Sequence, residues 1–546
     1  MKKDIRLLIS ESLKDSLKGL GLFAEVKEEL YLDTPQDLRF GDISSNVAMK
    51  LASVLKKSPR QVATEILEKL KPHLDKPGLK EYIKDVKIEG AGFINFFLSD
   101  HYFYEQLEFI LGKGEIAFEA SIGKGLAVLI EFVSANPTGS LSVAHARQAA
   151  VGDILANIMD YSGYKVTREY YLNDEGNQIN ILGKSVLLRM KELVGEKIDF
   201  PGDHYQGDYI YEIAKAAKEK NIKQEEMGDF AGNYILDIIK KELDDFGVKF
   251  HVWYSQKTLR EKGKIEAAFA LLKKKGFIYN DDGALWFKST AFGDDKDRVV
   301  IKSDSSYTYL APDIAYHQDK YKRGFKILIN LWGPDHHGYI NRLKAAVAAL
   351  GQDPDSLHIL IVQLATIFRS GKPVQMSTRR GQYITLQEVL DEVGKDASRY
   401  FFIMRKISSH LDFDLEVAKK QTPENPVYYV QYAHARISNI LKNASENTKY
   451  QEADLSVLKE KEEIALIKKI YQFHDILNIC RKTLDPYMLT VYLQELAEAF
   501  HKFYDLHRVL GQDDALTKAR LALIKGTQIT IGIGLSLVGV SRPEKM

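Results

Sequence analysis

The sequence predicts an α/β protein built on a parallel sheet, with an α+β unit before it and an all-α bundle after it. Between about Leu126 and Leu386, strand-like apolar runs alternate with helical patterns, the order that lays strands side by side in one direction. Residues up to about Glu115 read instead as two helical patterns followed by a strand-like stretch, and beyond about Asp396 the pattern turns wholly helical. At 546 residues, 45% hydrophobic and 28% charged, the chain has room for about three domains and a globular composition. The expected division is 1–115, 116–395 and 396–546.

Taken in order, Ile5 to Leu20 has the spacing of an amphipathic helix with Leu8, Leu13, Leu17 and Leu20 facing inward. Glu11, Lys14, Asp15 and Lys18 interrupt any run that a signal peptide needs. Arg60 to Leu70 is a second helical pattern, and Val86 to Leu98 reads as strand. Five strands are expected in the parallel sheet: Leu126 to Val133, Lys165 to Leu172, Arg298 to Lys302, Phe325 to Trp332 and His358 to Leu364. Between the second and third lies a mostly helical insertion, about 179–275. Past Asp396, polar loops such as Asn443 to Gln451 separate helices, with no convincing strand. Ile529 to Val540 is apolar but short of the ~20 residues that cross a bilayer.

Cys480 is the only cysteine, which excludes an intramolecular disulfide and a multi-cysteine zinc site. The formal charge is +1, with 76 basic and 75 acidic residues, so any nucleic-acid surface has to be a local basic face. Lys273 to Lys275, Lys320 to Lys326 and Arg379-Arg380 are the candidates, and each taken alone reads as solvated surface. The expectation is a soluble, cytoplasmic monomer without a membrane partner.

The most informative stretch is Glu131-Phe-Val-Ser-Ala-Asn-Pro-Thr-Gly-Ser-Leu-Ser-Val-Ala-His145-Ala-Arg147. It reads as the end of a buried strand, a loop punctuated by Pro137 and Gly139, and a helix opening near Ser142. Free backbone N–H groups and a partial positive charge of about half a unit make such a helix start a seat for phosphate. His145, one turn in, points back at whatever is seated there. In an open α/β sheet that place lies outside the carboxyl ends of the strands, where each motif below is expected. On its own the stretch reads equally as a capped loop with a core-facing histidine.

The passage resembles the nucleotide signature of class I aminoacyl-tRNA synthetases, and its surroundings look most like arginyl-tRNA synthetases. The resemblance runs over nearly the whole chain, from Phe40 to the Arg542-Pro-Glu-Lys-Met546 terminus. It implies a Rossmann-like catalytic domain, ATP with accompanying Mg²⁺, L-arginine and tRNA(Arg); no resident metal is expected, because no further ligand group accompanies the Asp335-His336-His337 run by spacing. By this likeness His145 is the second histidine of the HIGH signature, while Ser142 stands in for the first and Ala144 for its glycine. Gln375-Met-Ser-Thr-Arg-Arg-Gly381 resembles the KMSKS loop, with both lysine positions changed, to Gln375 and Thr378. Arg379 and Arg380 remain to follow the leaving pyrophosphate, because a guanidinium is permanently charged and forks onto phosphate.

His145, Ser142, Arg379 and Arg380 are therefore the catalytic candidates. The resemblance implies ATP contacts at Asn136, Gly139, His145, Gly333, Asp335, His336, His337, Met376 and Ser377. By the same resemblance, the stretch Trp332-Gly-Pro-Asp-His-His-Gly338 implies Asp335 by the ribose and His336 or His337 by phosphate. Selecting arginine requires carboxylates that match a planar cation. Glu131, Asn136, Tyr309 and Asp313 match family positions around the amino acid. Phe40-Gly-Asp-Ile-Ser-Ser-Asn-Val-Ala-Met-Lys-Leu-Ala resembles the family's amino-terminal domain, which contacts the tRNA elbow. Val427-Tyr-Tyr-Val-Gln-Tyr-Ala-His-Ala-Arg-Ile437 resembles its anticodon-binding domain, with Tyr428, Tyr432 and Arg436 as tRNA contacts. The rival reading is a paralogue that binds tRNA with weakened or absent charging, which the four departures leave open.

Overall fold

The computed structural model describes residues 4–26, 30, 32–35, 37–374, 383–444 and 449–546. Its centre is a wholly parallel sheet of β1 (Ala127–Glu131), β2 (Lys165–Leu172), β3 (Val252–Ser255), β4 (Ile327–Trp332) and β5 (Leu357–Ile361). The spatial order is β5-β4-β1-β2-β3. Both faces are covered by helices, which is why Val128 to Glu131 and Leu328 to Leu331 are buried residue after residue instead of alternately. Strand order reverses between β1 and β4, so the crevice outside their carboxyl ends is the natural ligand seat of this Rossmann-like fold.

The helices that matter for the site are α1 (Val143–Tyr161), α2 (Tyr209–Glu219), α3 (Met227–Asp245), α4 (Leu310–Lys322) and α5 (Ile340–Leu350). Two more, α6 (Pro426–Lys442) and α7 (Asp514–Val538), belong to the carboxyl-terminal bundle. The α1 helix starts where its sequence predicts, with Ser142 as an extended N-cap. Arg147, fully buried on α1, donates to the carbonyls of Gln363, Leu364, Phe402, Lys406 and Ser409. One side chain thus ties α1 to the segment after β5 and to the 402–409 turn. Deeper in α1, Asp153 pairs with Arg168 of β2 at 3.1 Å and with the buried Arg399 at 2.6 Å.

Four expectations are corrected. Arg298–Ile301 is a strand, but in a separate antiparallel sheet with Ala284–Phe287 and Ile278–Asp281. The Asp282-Gly283 turn, with φ 45° and 71°, joins Ile278–Asp281 to Ala284–Phe287, and Arg298–Ile301 adds to the other edge of Ala284–Phe287 instead of to the distant sheet. The fifth parallel strand is Val252–Ser255, four residues inside the stretch expected to be helical. Leu411–Asp414 is also a strand, parallel to Ala365–Arg369, in the region expected to hold none. Lastly, the apolar run near the end belongs to a helix of 25 residues, long enough by length and composition to cross a membrane, yet 78% of its apolar window is buried inside the protein.

The amino-terminal unit is a four-stranded antiparallel sheet covered by helices Ile5–Gly19, Val47–Leu55 and Pro59–Leu74. Ile5, Ile9, Leu13 and Leu17 form the buried stripe of the first helix, while Leu8 and Leu20 pack half-buried at its edge. The Val86 to Leu98 stretch is two strands, Ile83–Glu89 and Phe93–Leu98, folded back through Gly90 and Gly92.

Candidate active site

The loop after β1 turns sharply. Val133 and Ser134 take φ of 65° and 40°, a left-handed conformation that costs about 1 to 3 kcal/mol for such residues. Ser134 holds the turn: its hydroxyl donates to Glu131 at 3.2 Å and accepts the Tyr171 N–H at 3.1 Å. Further on, three side chains grip the loop backbone from outside the crevice. Tyr209 of α2 donates to the Thr138 carbonyl at 2.6 Å, and Tyr383 donates to that of Ser140 at 2.8 Å. Glu242 of α3 accepts the Leu141 N–H at 2.9 Å. Glu242 is buried, and burial raises its pKa. Gly139 fits this grip because a Cβ there would meet the Tyr383 hydroxyl at 3.0 Å.

The grip sets the start of α1. The Ser142 N–H donates to His145 Nδ1 at 3.2 Å, with the Ser142 hydroxyl 3.1 Å from the same nitrogen. Burial lowers the His145 pKa to about 4, so the ring is neutral at pH 7. A nitrogen that accepts a backbone N–H carries no proton, which leaves the ring proton on Nε2. His145 lines the crevice as a neutral, pre-aimed hydrogen-bond donor.

The crevice is one cavity of about 950 Å³, and it gathers Glu131, Asn136, His145, Tyr309, Asp313, Gly333, Asp335 and His336 on its wall. Glu131 is the partner of Lys320, a fully buried ammonium 2.6 Å away. Lys320 also donates to Asn330 at 3.0 Å, and Asn330 meets His317 at 2.9 Å. The lysine is therefore buried structure, in contrast to the solvated surface expected for Lys320 to Lys326; Arg323 likewise pairs with the buried Glu169 at 2.5 Å. Helix periodicity explains it, since Asp313, Tyr316 and Lys320 recur on one face of α4.

Asp313 differs from Glu131. It accepts the Tyr339 hydroxyl at 2.7 Å and forms no ion pair among the described residues, the Lys320 charge acting on it only from a distance. Burial raises its carboxyl to about 6, the Tyr339 hydrogen bond opposing the shift. A half-buried carboxylate on a cavity wall, short of a counter-charge, is suited to a cation. Tyr309, 85% exposed, stands at the mouth of the same cavity four residues earlier. Asn136 donates to Gln178 at 2.7 Å on another side of the wall.

Gly139, Ser142 and His337 lie off the cavity wall, and Gln375 to Gly381, with Met376, Ser377, Arg379 and Arg380, lies outside the described residues. Tyr428, Tyr432 and Arg436 come together elsewhere, on α6 of the bundle. Tyr428 stacks on Tyr432 with rings 8° from parallel and 6.2 Å apart, and Tyr432 stacks in turn on His501. Arg436 lies against the rings of Tyr432 and Tyr504. Sequence reasoning missed Tyr339, Arg342, Gln178 and Gln256 on the wall and Glu242 behind the loop. Tyr339 and Arg342 carried a signal, being four and seven residues after Asp335. The others had none.

A family model described as tRNA synthetases class I (R), catalytic domain, matches residues 107–440, more than half of the chain. The arginine-tRNA ligase of Geobacillus kaustophilus is 47% identical over 98% of this chain and 99% of its own length. The chain belongs to the arginyl-tRNA synthetase family. Two further models flank the first: the arginyl tRNA synthetase N terminal domain at 6–98 and the DALR anticodon binding domain at 430–546. The Bacillus subtilis arginine-tRNA ligase is 45% identical over 98% of this chain and 99% of its own. Among solved structures, a Campylobacter jejuni protein described as an arginyl tRNA synthetase superposes with a TM-score of 0.77 at 36% identity, covering 82% of this chain and 100% of that one. Thermus thermophilus arginyl-tRNA synthetase shares the fold, with a TM-score of 0.80 at 22% identity over 98% and 99% of the two chains. In this chain the neutral His145 and Asp313, which forms no ion pair among the described residues, share one cavity.

Proposed function

We propose that the chain is an arginine-tRNA ligase: it joins L-arginine to ATP as arginyl-adenylate, releasing diphosphate, and passes the arginyl group to the 3′-terminal ribose of tRNA(Arg), releasing AMP. Asp313 takes the guanidinium and stays ionised through that pairing, with Tyr339 orienting the carboxylate and Tyr309 closing over the side chain. Glu131 acts beside it through its Lys320 partner, and Asn136 contacts the amino acid and the nucleotide. His145 donates through Nε2 to the α-phosphate as negative charge builds during attack by the arginine carboxylate. Gly333 and Asp335 seat the ribose, and His336 or His337 meets phosphate. Mg²⁺ bound with ATP would supply neutralisation of phosphate charge. Met376 and Ser377 contact the nucleotide, and Arg379 and Arg380 accompany the departing diphosphate.

Residues 1–115 meet the tRNA elbow, 116–395 carry the chemistry, and 396–546 read the anticodon through Tyr428, Tyr432 and Arg436, whose parallel rings suit unstacked bases. The enzyme works as a soluble, cytoplasmic monomer without a membrane partner. What carries the reading is Asp313, a carboxylate short of a cation within the cavity that holds the nucleotide signature. Aminoacylation assays with each of the twenty amino acids, with and without tRNA, test it. Arginine alone is expected to be charged; charging of another amino acid, or binding of tRNA with no charging at all, overturns it.

A further inference from the structure

Arg342 stands on the wall of the active-site cavity and forms no ion pair among the described residues. Its Nε is buried without a hydrogen-bond partner. Among the described residues, Arg298 on the wall pairs with Asp294 and Asp295, and Lys320 behind it pairs with Glu131. Arg342 lies in the first turn of α5, on the helical face that Tyr339 shares, and its guanidinium rests 4.9 Å from the Tyr339 ring centre. That ring contact is worth about 1 kcal/mol, too little to replace the hydration of a half-buried guanidinium. The side chain is built to meet an anion.

The identity of that anion rests on the proposed function. The substrate's own guanidinium carries the same charge as Arg342 and is repelled by it, which leaves the phosphates of ATP and the α-carboxylate of arginine. The triphosphate brings more charge and paired oxygens that match the guanidinium fork. The described wall offers phosphate little other charge, since His145 is neutral and Ser142 carries none where the family signature has histidine. We propose that Arg342 is a binding residue for the triphosphate of ATP.

The test is equilibrium binding of ATP and of adenosine, which keeps base and ribose but has no phosphate, to the full-length wild type, Arg342→Gln and Arg342→Lys. A charge-assisted contact of this kind predicts that Arg342→Gln weakens ATP about tenfold or more and leaves adenosine within about twofold. Arg342→Lys, a point charge without the fork, is expected to weaken ATP about fivefold. Should the glutamine variant fail to fold, unchanged ATP affinity in the lysine variant overturns the proposal. Equal losses for ATP and adenosine overturn it too. So does loss of the preference for arginine over agmatine, which lacks the carboxylate, with ATP unaffected: Arg342 then serves the amino acid. A wild type that binds ATP better than adenosine but charges no tRNA separates failure of the functional reading from failure of this one.

Discussion

Replacing Asp313 by asparagine separates recognition from stability. Holding Asp313 ionised at pH 7 with a pKa of about 6 costs the folded protein about 3 kcal/mol relative to an exposed aspartate. Pairing with a guanidinium has to offset that cost and still yield affinity. Asparagine keeps one carbonyl acceptor and the shape but loses the charge, and breaking one side of a desolvated ion pair costs about 2 to 5 kcal/mol. At about 3 kcal/mol, the KM for arginine rises roughly 100-fold or more, while the KM for ATP stays within about twofold. The same change removes an ionisation cost, so the variant is expected to melt at or above the wild-type temperature at pH 7. ATP–diphosphate exchange with tRNA present gives both KM values, and thermal denaturation gives the stability. Equal rises in the two KM values, or an arginine KM that moves less than about fivefold, remove Asp313 from the guanidinium site.

The other expectations are narrower. Because the Asp313 pKa is raised, its proton is held in the free enzyme below about pH 6, so the arginine KM rises as pH falls through 6 and approaches tenfold per unit below it; a flat profile from pH 7 to 5, or one unchanged in Asp313→Asn, contradicts the assignment. Glu242→Ala frees the Leu141 N–H and loosens His145, lowering kcat about tenfold with the arginine KM unchanged, whereas Glu242→Gln keeps an acceptor and restores the rate; a glutamine variant as impaired as alanine would assign Glu242 another role. Tyr432→Ala removes the centre of the α6 stack, and the KM for tRNA should rise about tenfold or more with the arginine KM intact; unchanged tRNA kinetics would leave the stack as packing.

The parallel sheet was legible because buried strands such as Leu126 to Val133 and Phe325 to Trp332 are long apolar runs bounded by turn residues. Val252–Ser255 and Leu411–Asp414 were not, since four residues show too little of any period to stand out from a helical neighbourhood. Arg298–Ile301 was found as a strand and misplaced as to sheet, because period reports conformation and not partner. Within the site, a strand followed by a helix start pointed to His145 by local geometry, while Glu131 came from likeness to the family and by its residues alone read as a salt-bridge partner, which it is. Asp313 came from likeness to the family, and its unpaired state was visible only in three dimensions. Lys320 marks the limit most sharply, since a lysine among basic neighbours reads as surface until Glu131 is found 2.6 Å away.

The departure at Ser142 also looks different once the hydrogen bonds are traced. The group that fixes the His145 tautomer is the backbone N–H of residue 142, which any residue other than proline supplies. What the serine side chain adds is a hydroxyl on the same Nδ1, used inside the turn and off the cavity wall. A histidine at this position would bring its own reach and charge to a bound nucleotide, and serine forgoes both. The loss therefore falls on phosphate charge rather than on the aim of His145, and it leaves a cavity whose own neutral donor is held in place by Glu242, Tyr209 and Tyr383 from behind the loop. On the described wall, the guanidinium without an acidic partner that can supply positive charge is that of Arg342.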